Sequence, residues 1–381
     1  MTSHIPKRPH IAALGGLFAM AAGIGIGRFI YTPILPPMIE ALGLSKSAAG
    51  LIASANFFGY LCGALLATTA RLPGSRRTWL LAALLTSALS TAAMGFATSL
   101  PSFLTFRFAG GLASAWVLIL ASALVLEHLA HAGRTGLAAL HFSGVGIGIT
   151  ASAIAVAALL AAGHPWPTLW FGGGALSLAA TLAVWPLIPN PPTPPPPPGQ
   201  RAPAPPTPAL RRMIAAYGLF GFGYVITATF LVAIVRTTPE IRPLEPAIWV
   251  IVGLSAAPSV AFWAWLARWR GIPAAFALAS LVAAAGVLAS VAWPSTPGII
   301  LAAILTGGTF MGQVALGLMR ARELTTGDPS RAIALLTGSF GLGQIIGPIF
   351  AGAAYDHFGN FFVASVTAAA VLVIAAILAR R

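Results

Sequence analysis

The sequence predicts an all-α integral membrane protein of twelve transmembrane helices, arranged as two parallel six-helix repeats. Three observations lead there. Only 7% of the 381 residues are charged and 58% are hydrophobic, whereas a soluble chain is about one-quarter charged. The apolar residues fall in runs of about 20 or more, the length that crosses a bilayer as a helix. The two halves of the chain also repeat a set of short patterns at nearly one spacing, the mark of a duplicated structural unit.

Twelve apolar segments can be marked, at 11–38, 47–70, 77–98, 101–126, 136–162, 166–188, 211–235, 246–267, 272–293, 297–319, 330–354 and 359–379. The first is the most unusual. Arg28 stands in its middle with no acidic residue before Glu40. A lone arginine at that depth is costly, so it is expected to face a protein interior or a water-filled cavity. Tyr31 and Thr32 follow at helical spacing on the same face. Gly23 and Gly27 form a small-xxx-small pair for close helix approach. Pro33, Pro36 and Pro37 are expected to break or bend the helix toward its end.

An even number of spans puts both termini on one side. Of the 21 Lys and Arg, Arg28 and Arg107 lie within spans, and Lys46, Arg236 and Arg242 lie on one face. The other sixteen fall on the opposite face. Basic short loops stay cytoplasmic, so a multi-pass protein of the cytoplasmic (inner) membrane with both termini cytoplasmic is expected. Trp79, Trp166, Trp185, Trp269 and Trp293 near span ends fit interfacial anchoring. Lys7 and Arg8 before an apolar run imitate a signal peptide. Cleavage is not expected, because the 23–38 stretch has a counterpart in the second half. The net charge of +14 imitates a nucleic-acid binder, but it sits in short loops between spans, so no nucleic-acid partner is expected. The single cysteine, Cys62, excludes an intramolecular disulfide.

One segment cannot pack a core. Residues 190–208 read NPPTPPPPPGQRAPAPPTP, which favours polyproline II. At about 3.1 Å per residue it reaches roughly 60 Å. A stiff tether is preferred over a ligand for a proline-recognising partner, since it joins two sets of six spans. The expected division is an N-terminal half over 1–188, a cytoplasmic linker over 189–210 and a C-terminal half over 211–381.

The repeat can be followed residue by residue. Gly25 to Leu35 aligns with Gly221 to Leu231 at an offset of 196, which pairs Arg28 with Tyr224. Ala70-Arg71-x-x-Gly74 aligns with Ala267-Arg268-x-x-Gly271, Gly110-Gly111 with Gly307-Gly308, and Gly144-x-Gly146 with Gly341-x-Gly343, all at 197. Repeats separated by six spans share one orientation and suit a transporter with a midplane site.

These residues also carry a resemblance. The Gly-x-Gly-Arg-Phe-x-Tyr-Thr-Pro run at 25–33, the Ala-Arg-Leu-Pro-Gly-Ser-Arg-Arg loop at 70–77, the His-Phe-Ser-Gly-Val-Gly run at 141–146, Gly347-Pro348 and Tyr355-Asp356 make the chain resemble the major facilitator superfamily, most closely its YbfB/YjiJ-like bacterial branch. The resemblance implies the major facilitator fold. It covers the chain apart from the linker. Where superfamily members usually carry an aspartate at the start of the second-to-third-helix loop, this chain has Ala70. Arg107-x-x-Gly110-Gly111 is similar to the superfamily's buried arginine motif.

Arg28 is the leading candidate to bind an anion, because guanidinium suits carboxylate bidentately. The competing reading is snorkelling to the interface. Arg107 divides between a cavity role and a structural bond to backbone carbonyls. His141 divides between a proton carrier and a packing histidine. Asn56, Tyr31, Thr32, Tyr224, Gln313 and Gln344 could line a path or hydrogen-bond another helix. All seven acidic residues fall at span ends or in loops, so a midplane carboxylate relay is not expected and the cavity should be electropositive. No catalytic or metal-binding constellation and no ATP-binding loop is present in the sequence. The Gly-x-Gly runs lack a preceding strand and do not read as dinucleotide sites. No enzyme activity, metal or cofactor is expected.

The expectation is a monomeric secondary active transporter that works by alternating access on a small-molecule substrate, with H+ or a counter-substrate as partner. An organic anion or carboxylate held at Arg28 is favoured. The alternatives are efflux of a neutral sugar-like or drug-like compound with Arg28 structural, and a non-transporting membrane sensor or scaffold.

Overall fold

A computed structural model of the chain describes residues 8–69, 74–188, 206–325 and 329–380. Ala70 and Arg71 of the expected loop motif, and residues 189–205 of the expected linker, lie outside the described residues. Every regular element among the described residues is helical. Eleven helices are each long and apolar enough to cross a membrane, and one bent pair makes up a twelfth span. In chain order they are α1 (Pro9–Leu42), α2 (Lys46–Thr69), α3 (Arg76–Phe96), α4 (Leu100–His131), α5 (Ala138–Ala161), α6 (Trp166–Leu187), α7 (Pro208–Thr237), α8 (Glu245–Ala256 with Ser259–Arg270), α9 (Ile272–Ala292), α10 (Thr296–Glu323), α11 (Ser330–Phe358) and α12 (Phe362–Arg380).

The helix starts follow local chemistry. Ser75 accepts from the Thr78 amide at 3.1 Å, and Ser99 forms a capping box with Ser102; both satisfy amides that a first turn leaves bare. Thr207 caps α7 by accepting from the Leu210 amide, with Pro208 at the first helical position. Residues 208–210, expected to close the linker, are therefore already helix. Gly43 ends α1 in a left-handed conformation, φ +62°, which costs glycine nothing.

Two spans depart from the expected outline. The segment expected as one helix over 246–267 is broken by 42° around Ala257 and Pro258, because Pro258 removes an amide from the ladder. α1 is not broken at Pro33 to Pro37; the helix runs on through Pro36 and Pro37 to Leu42. Its distortion lies earlier, a π-helical stretch over Ala21–Ile26 and turns over 27–30. Pro33 acts upstream: it has no amide to give the carbonyl of Phe29, four residues back. The Thr32 amide turns to that carbonyl at 3.3 Å, which leaves the Arg28 carbonyl for another donor.

α1 and α7 are the most enclosed spans. Within the first six helices α2 packs on α4, α3 on α4 and α6, and α1 on α5; within the last six α7 packs on α11 and α12, α9 on α10 and α12, and α8 on α10. Between the two sets, α2 meets α11, α5 meets α8 and α1 meets α7. Under the repeat α2 corresponds to α8 and α5 to α11, so the first two contacts are one pairing made twice. Small residues bring the backbones together, as packing in lipid requires. A Cβ on Gly50 would stand 2.1 Å from the Pro348 carbonyl oxygen, and one on Gly146 would stand 2.3 Å from the Ala257 nitrogen.

Candidate functional site

The irregular stretch of α1 puts Arg28 at the middle of the α1–α2–α7–α11 junction. Its side chain is 6% exposed. Nη2 donates to Gln344 Oε1 of α11 at 2.8 Å, and Gln344 Nε2 donates to the Tyr224 hydroxyl of α7. The guanidinium carbon lies 4.5 Å from the ring centre of Tyr60 and 4.7 Å from that of Phe57, both on α2. The Nε of Arg28 has no hydrogen-bond partner. Arg28 and Tyr224, paired by the repeat, thus meet through Gln344.

Arg107 of α4 is also buried, at 4% exposure. Nη1 donates to the Gly27 carbonyl at 3.1 Å and Nη2 to the Arg28 carbonyl at 3.0 Å. It therefore occupies the backbone acceptor that Pro33 indirectly frees. The rings of Tyr31 and Trp170 lie 5.1 and 6.0 Å from its guanidinium carbon. Asn56 donates to the Arg107 carbonyl at 2.9 Å. Tyr31 donates to the Ala49 carbonyl at 2.8 Å and Thr32 to that of Ala228 at 2.7 Å. The space left between these groups is about 10 Å³, lined among others by Arg28, Tyr31, Thr32, Phe57, Arg107 and Thr229. That is room for about one water, and Arg28, Tyr31, Thr32 and Arg107 are all buried, so the junction is closed to a solute.

The structure does not bring every candidate to Arg28. Gln313 donates to Ser280 Oγ at 2.8 Å, between α10 and α9. His141 Nε2 lies 3.2 Å from Ser122 Oγ of α4, and its ring packs against Gly16 of α1. Both are buried within one set of six helices. Gly23 and Gly27 serve close approach as expected, to Val117 of α4 and Ser87 of α3 respectively.

Sequence reasoning missed the aromatic surround. The Tyr224 ring is parallel within 4° to those of Phe310 and Phe340, each 5.8 Å away. Phe29 reaches across from α1 to Phe310 at 5.5 Å. Nothing in the sequence separates these phenylalanines from those that face lipid. Also missed was a run of polar bonds joining the two sets of helices from Arg28 toward one membrane face. Ser54 donates to the Ile345 carbonyl at 2.7 Å. The carboxylate of Asp356 accepts from the Lys46 and Ser47 amides at 3.0 and 2.9 Å, capping α2 from α11. Arg236 binds Glu40 through two nitrogens and Glu245 at 2.7 Å. Within the first six helices, Glu127 at the end of α4 pairs with Arg76 at 3.2 Å. Among the described residues no carboxylate pairs with Arg28 or Arg107.

A family profile described as "Uncharacterised MFS-type transporter YbfB" matches residues 20–380. No curated protein matches the chain. Among solved structures it is similar to the nucleoside transporter NupG, with TM-score 0.72 at 16% identity, covering 96% of this chain and 97% of that one. It is similar to a D-xylose-proton symporter, with TM-score 0.72 at 14% identity, covering 97% and 96%. A bacterial homolog of the human lysosomal transporter Spinster, inward-facing and unoccupied, gives TM-score 0.71 at 15% identity, covering 99% and 97%. At these identities the likeness is one of fold. With twelve spans in two related sets, a closed polar site at their junction and the family match over nearly its whole length, this multi-pass membrane protein belongs to the YbfB-type transporters of the major facilitator superfamily.

Proposed function

We propose that the protein is a secondary active transporter of the cytoplasmic membrane that moves a small organic anion by alternating access, with Arg28 as the anion clamp. The observation that carries this reading is a buried guanidinium at the junction of the two sets of helices, held by the neutral amide of Gln344. A charged side chain at the bilayer centre costs about 2.5–3.5 kcal/mol on insertion scales, and intramembrane ionisable groups mark substrate paths. Gln344 Oε1 occupies the place a substrate carboxylate would take. Tyr31, Thr32 and Tyr224 complete the site, Arg107 and Asn56 hold the irregular turn of α1 that presents Arg28, and His141 and Gln313 serve packing. The halves over 1–188 and 211–381 rock about this site, joined by the proline-rich tether. Both termini are cytoplasmic, so the Glu40–Arg236 side is extracellular. Without an ATP-binding loop in the sequence, a proton gradient or exchange against a counter-substrate supplies the energy. A monomer suffices, because the site lies within one chain.

A second reading has one specific observation in its favour. The Arg28–Gln344 bond already joins the helix sets, so Arg28 could be a fastener in a transporter of neutral solutes. The nucleoside and xylose transporters of similar fold keep this reading in view. Thermal-shift measurements on wild type and Arg28→Ala separate the two. A ligand at about 100 times its Kd adds about 2.7 kcal/mol of stability. Organic anions should stabilise the wild type and not Arg28→Ala; neutral sugars stabilising both equally would move the second reading to the front.

A further inference from the structure

We propose that the substrate is an aromatic monocarboxylate, a flat ring of benzoate or indole size carrying one negative charge. This rests on the reading of Arg28 as the anion clamp and narrows it. Three features of the site point there.

The first is the number of available cationic edges. Arg107 commits both terminal nitrogens to the carbonyls of Gly27 and Arg28. Arg28 spends Nη2 on a side-chain amide and leaves Nε without a partner. The Nε–Nη2 edge of a guanidinium is the fork that binds a carboxylate bidentately. A carboxylate displacing Gln344 Oε1 would take both. One edge serves one carboxylate, so a dicarboxylate would leave its second charge uncompensated in the membrane core.

The second is what the hydroxyl groups do. Tyr31, Thr32 and Ser54 donate to the backbone carbonyls of Ala49, Ala228 and Ile345, and Asn56 donates to that of Arg107. The Tyr31 and Asn56 bonds lie within one set of helices and persist when the sets part. A polyhydroxylated solute would therefore have to displace backbone carbonyls to gain those donors, whereas a carboxylate at Arg28 needs only the free guanidinium edge.

The third is the surround. The Gln344 amide that marks the anion position touches the Tyr224 hydroxyl. The Tyr224 ring runs parallel to Phe310 and Phe340. On the opposite side Phe57 and Tyr60 flank the guanidinium, and Phe29 meets Phe310 across the junction. A substituent on a carboxylate at this position meets rings from both sets of helices. Ring–ring contact should favour an aromatic over a saturated ring by roughly tenfold in affinity. The closed cavity of about 10 Å³ admits no ring, so binding requires the helix sets to part and Gln344 to leave Arg28.

The test uses purified full-length protein and calorimetric titration with sodium benzoate, cyclohexanecarboxylate, succinate and benzyl alcohol. Benzoate is expected to bind about tenfold more tightly than cyclohexanecarboxylate, and more tightly than succinate. Phe57→Leu and, separately, Phe310→Leu should lower the benzoate-to-cyclohexanecarboxylate affinity ratio by at least about threefold. This ratio is insensitive to the fraction of protein that folds. Arg28→Ala should lose binding of both carboxylates. Cyclohexanecarboxylate or succinate binding as tightly as benzoate, with loss in Arg28→Ala, overturns the aromatic class and leaves the anion clamp standing. Benzyl alcohol binding as tightly as benzoate, or benzoate binding unchanged in Arg28→Ala, overturns both. Failure of benzoate and of a larger indole carboxylate to bind also overturns the proposal.

Discussion

Glu40 and Arg236 stand 196 residues apart, the spacing of the internal repeat, and face each other across the molecule as an ion pair. Thr32 and Ala228, bonded directly, have the same separation. Two repeat-equivalent residues can touch only where the axis relating the repeats passes between them. α1 and α7 therefore cross on that axis, and Arg28, four residues before Thr32, lies beside it. A group so placed faces both sets of helices at once, which is what a site exposed alternately to two sides needs.

The Glu40–Arg236–Glu245 cluster is expected to hold the helix sets together at one membrane face. Its residues are partly exposed, so the pairs contribute only about 0.2–1 kcal/mol each. Arg236→Ala should therefore raise the open population several-fold rather than abolish closure. Labelling of Ser54→Cys by a membrane-impermeant maleimide, in a Cys62→Ser background, should accelerate from that face. An unchanged labelling rate would show that the cluster does not gate the site.

Arg107 is expected to be a structural partner of the irregular turn in α1. Lysine has one ammonium and cannot reproduce the two directed bonds to the Gly27 and Arg28 carbonyls. Arg107→Lys should cost about 1.5–3 kcal/mol of stability, the usual range for hydrogen bonds to charged groups. Pro33→Ala, which gives the Phe29 carbonyl an amide partner again, should couple to it. A double-mutant cycle by reversible SDS unfolding should show an interaction energy of about 0.5–3 kcal/mol. Additivity would refute the link between Pro33 and Arg107.

Close backbone contact makes a sharp contrast between two glycines. A Cβ on Gly111 would fall 1.9 Å from the Asn56 carbonyl oxygen, whereas one on Gly338 meets nothing within 4 Å. Gly111→Ala should destabilise by about 1–3 kcal/mol, because the α2 and α4 backbones must move apart. Gly338→Ala, within α11, should stabilise by about 0.5–1 kcal/mol through lost unfolded-state entropy. Thermal midpoints of the two variants should move in opposite directions.

The two buried glutamines should behave differently. Gln344→Leu removes the neutral partner of Arg28 and a bond between the helix sets. It should change the open–closed equilibrium and substrate affinity together. Gln313→Leu removes only a bond from α10 to α9. Its effect should be confined to stability, within about 2 kcal/mol. Substrate titration and thermal unfolding on both variants check this, and equal shifts in substrate affinity would remove the distinction.

The sequence by itself determined that the chain spans a membrane, how many spans it has, that they come in two related sets, and that Arg28 is out of place in an ordinary span. These follow from length, composition and the cost of burying a charge, which are properties of local segments. The tertiary structure decided which polar residues meet. Gln313 and Gln344 look alike as lone amides in apolar runs, yet only Gln344 reaches Arg28. Phe29, Phe57, Phe310 and Phe340 read like any lipid-facing phenylalanine, yet they surround the site. The reason is that lipid and protein interior are both apolar, so a span's pattern hardly marks which face turns inward. The irregular stretch of α1 shows the same limit: proline announced a disturbance, but it falls one turn upstream, where Arg107 takes the Arg28 carbonyl.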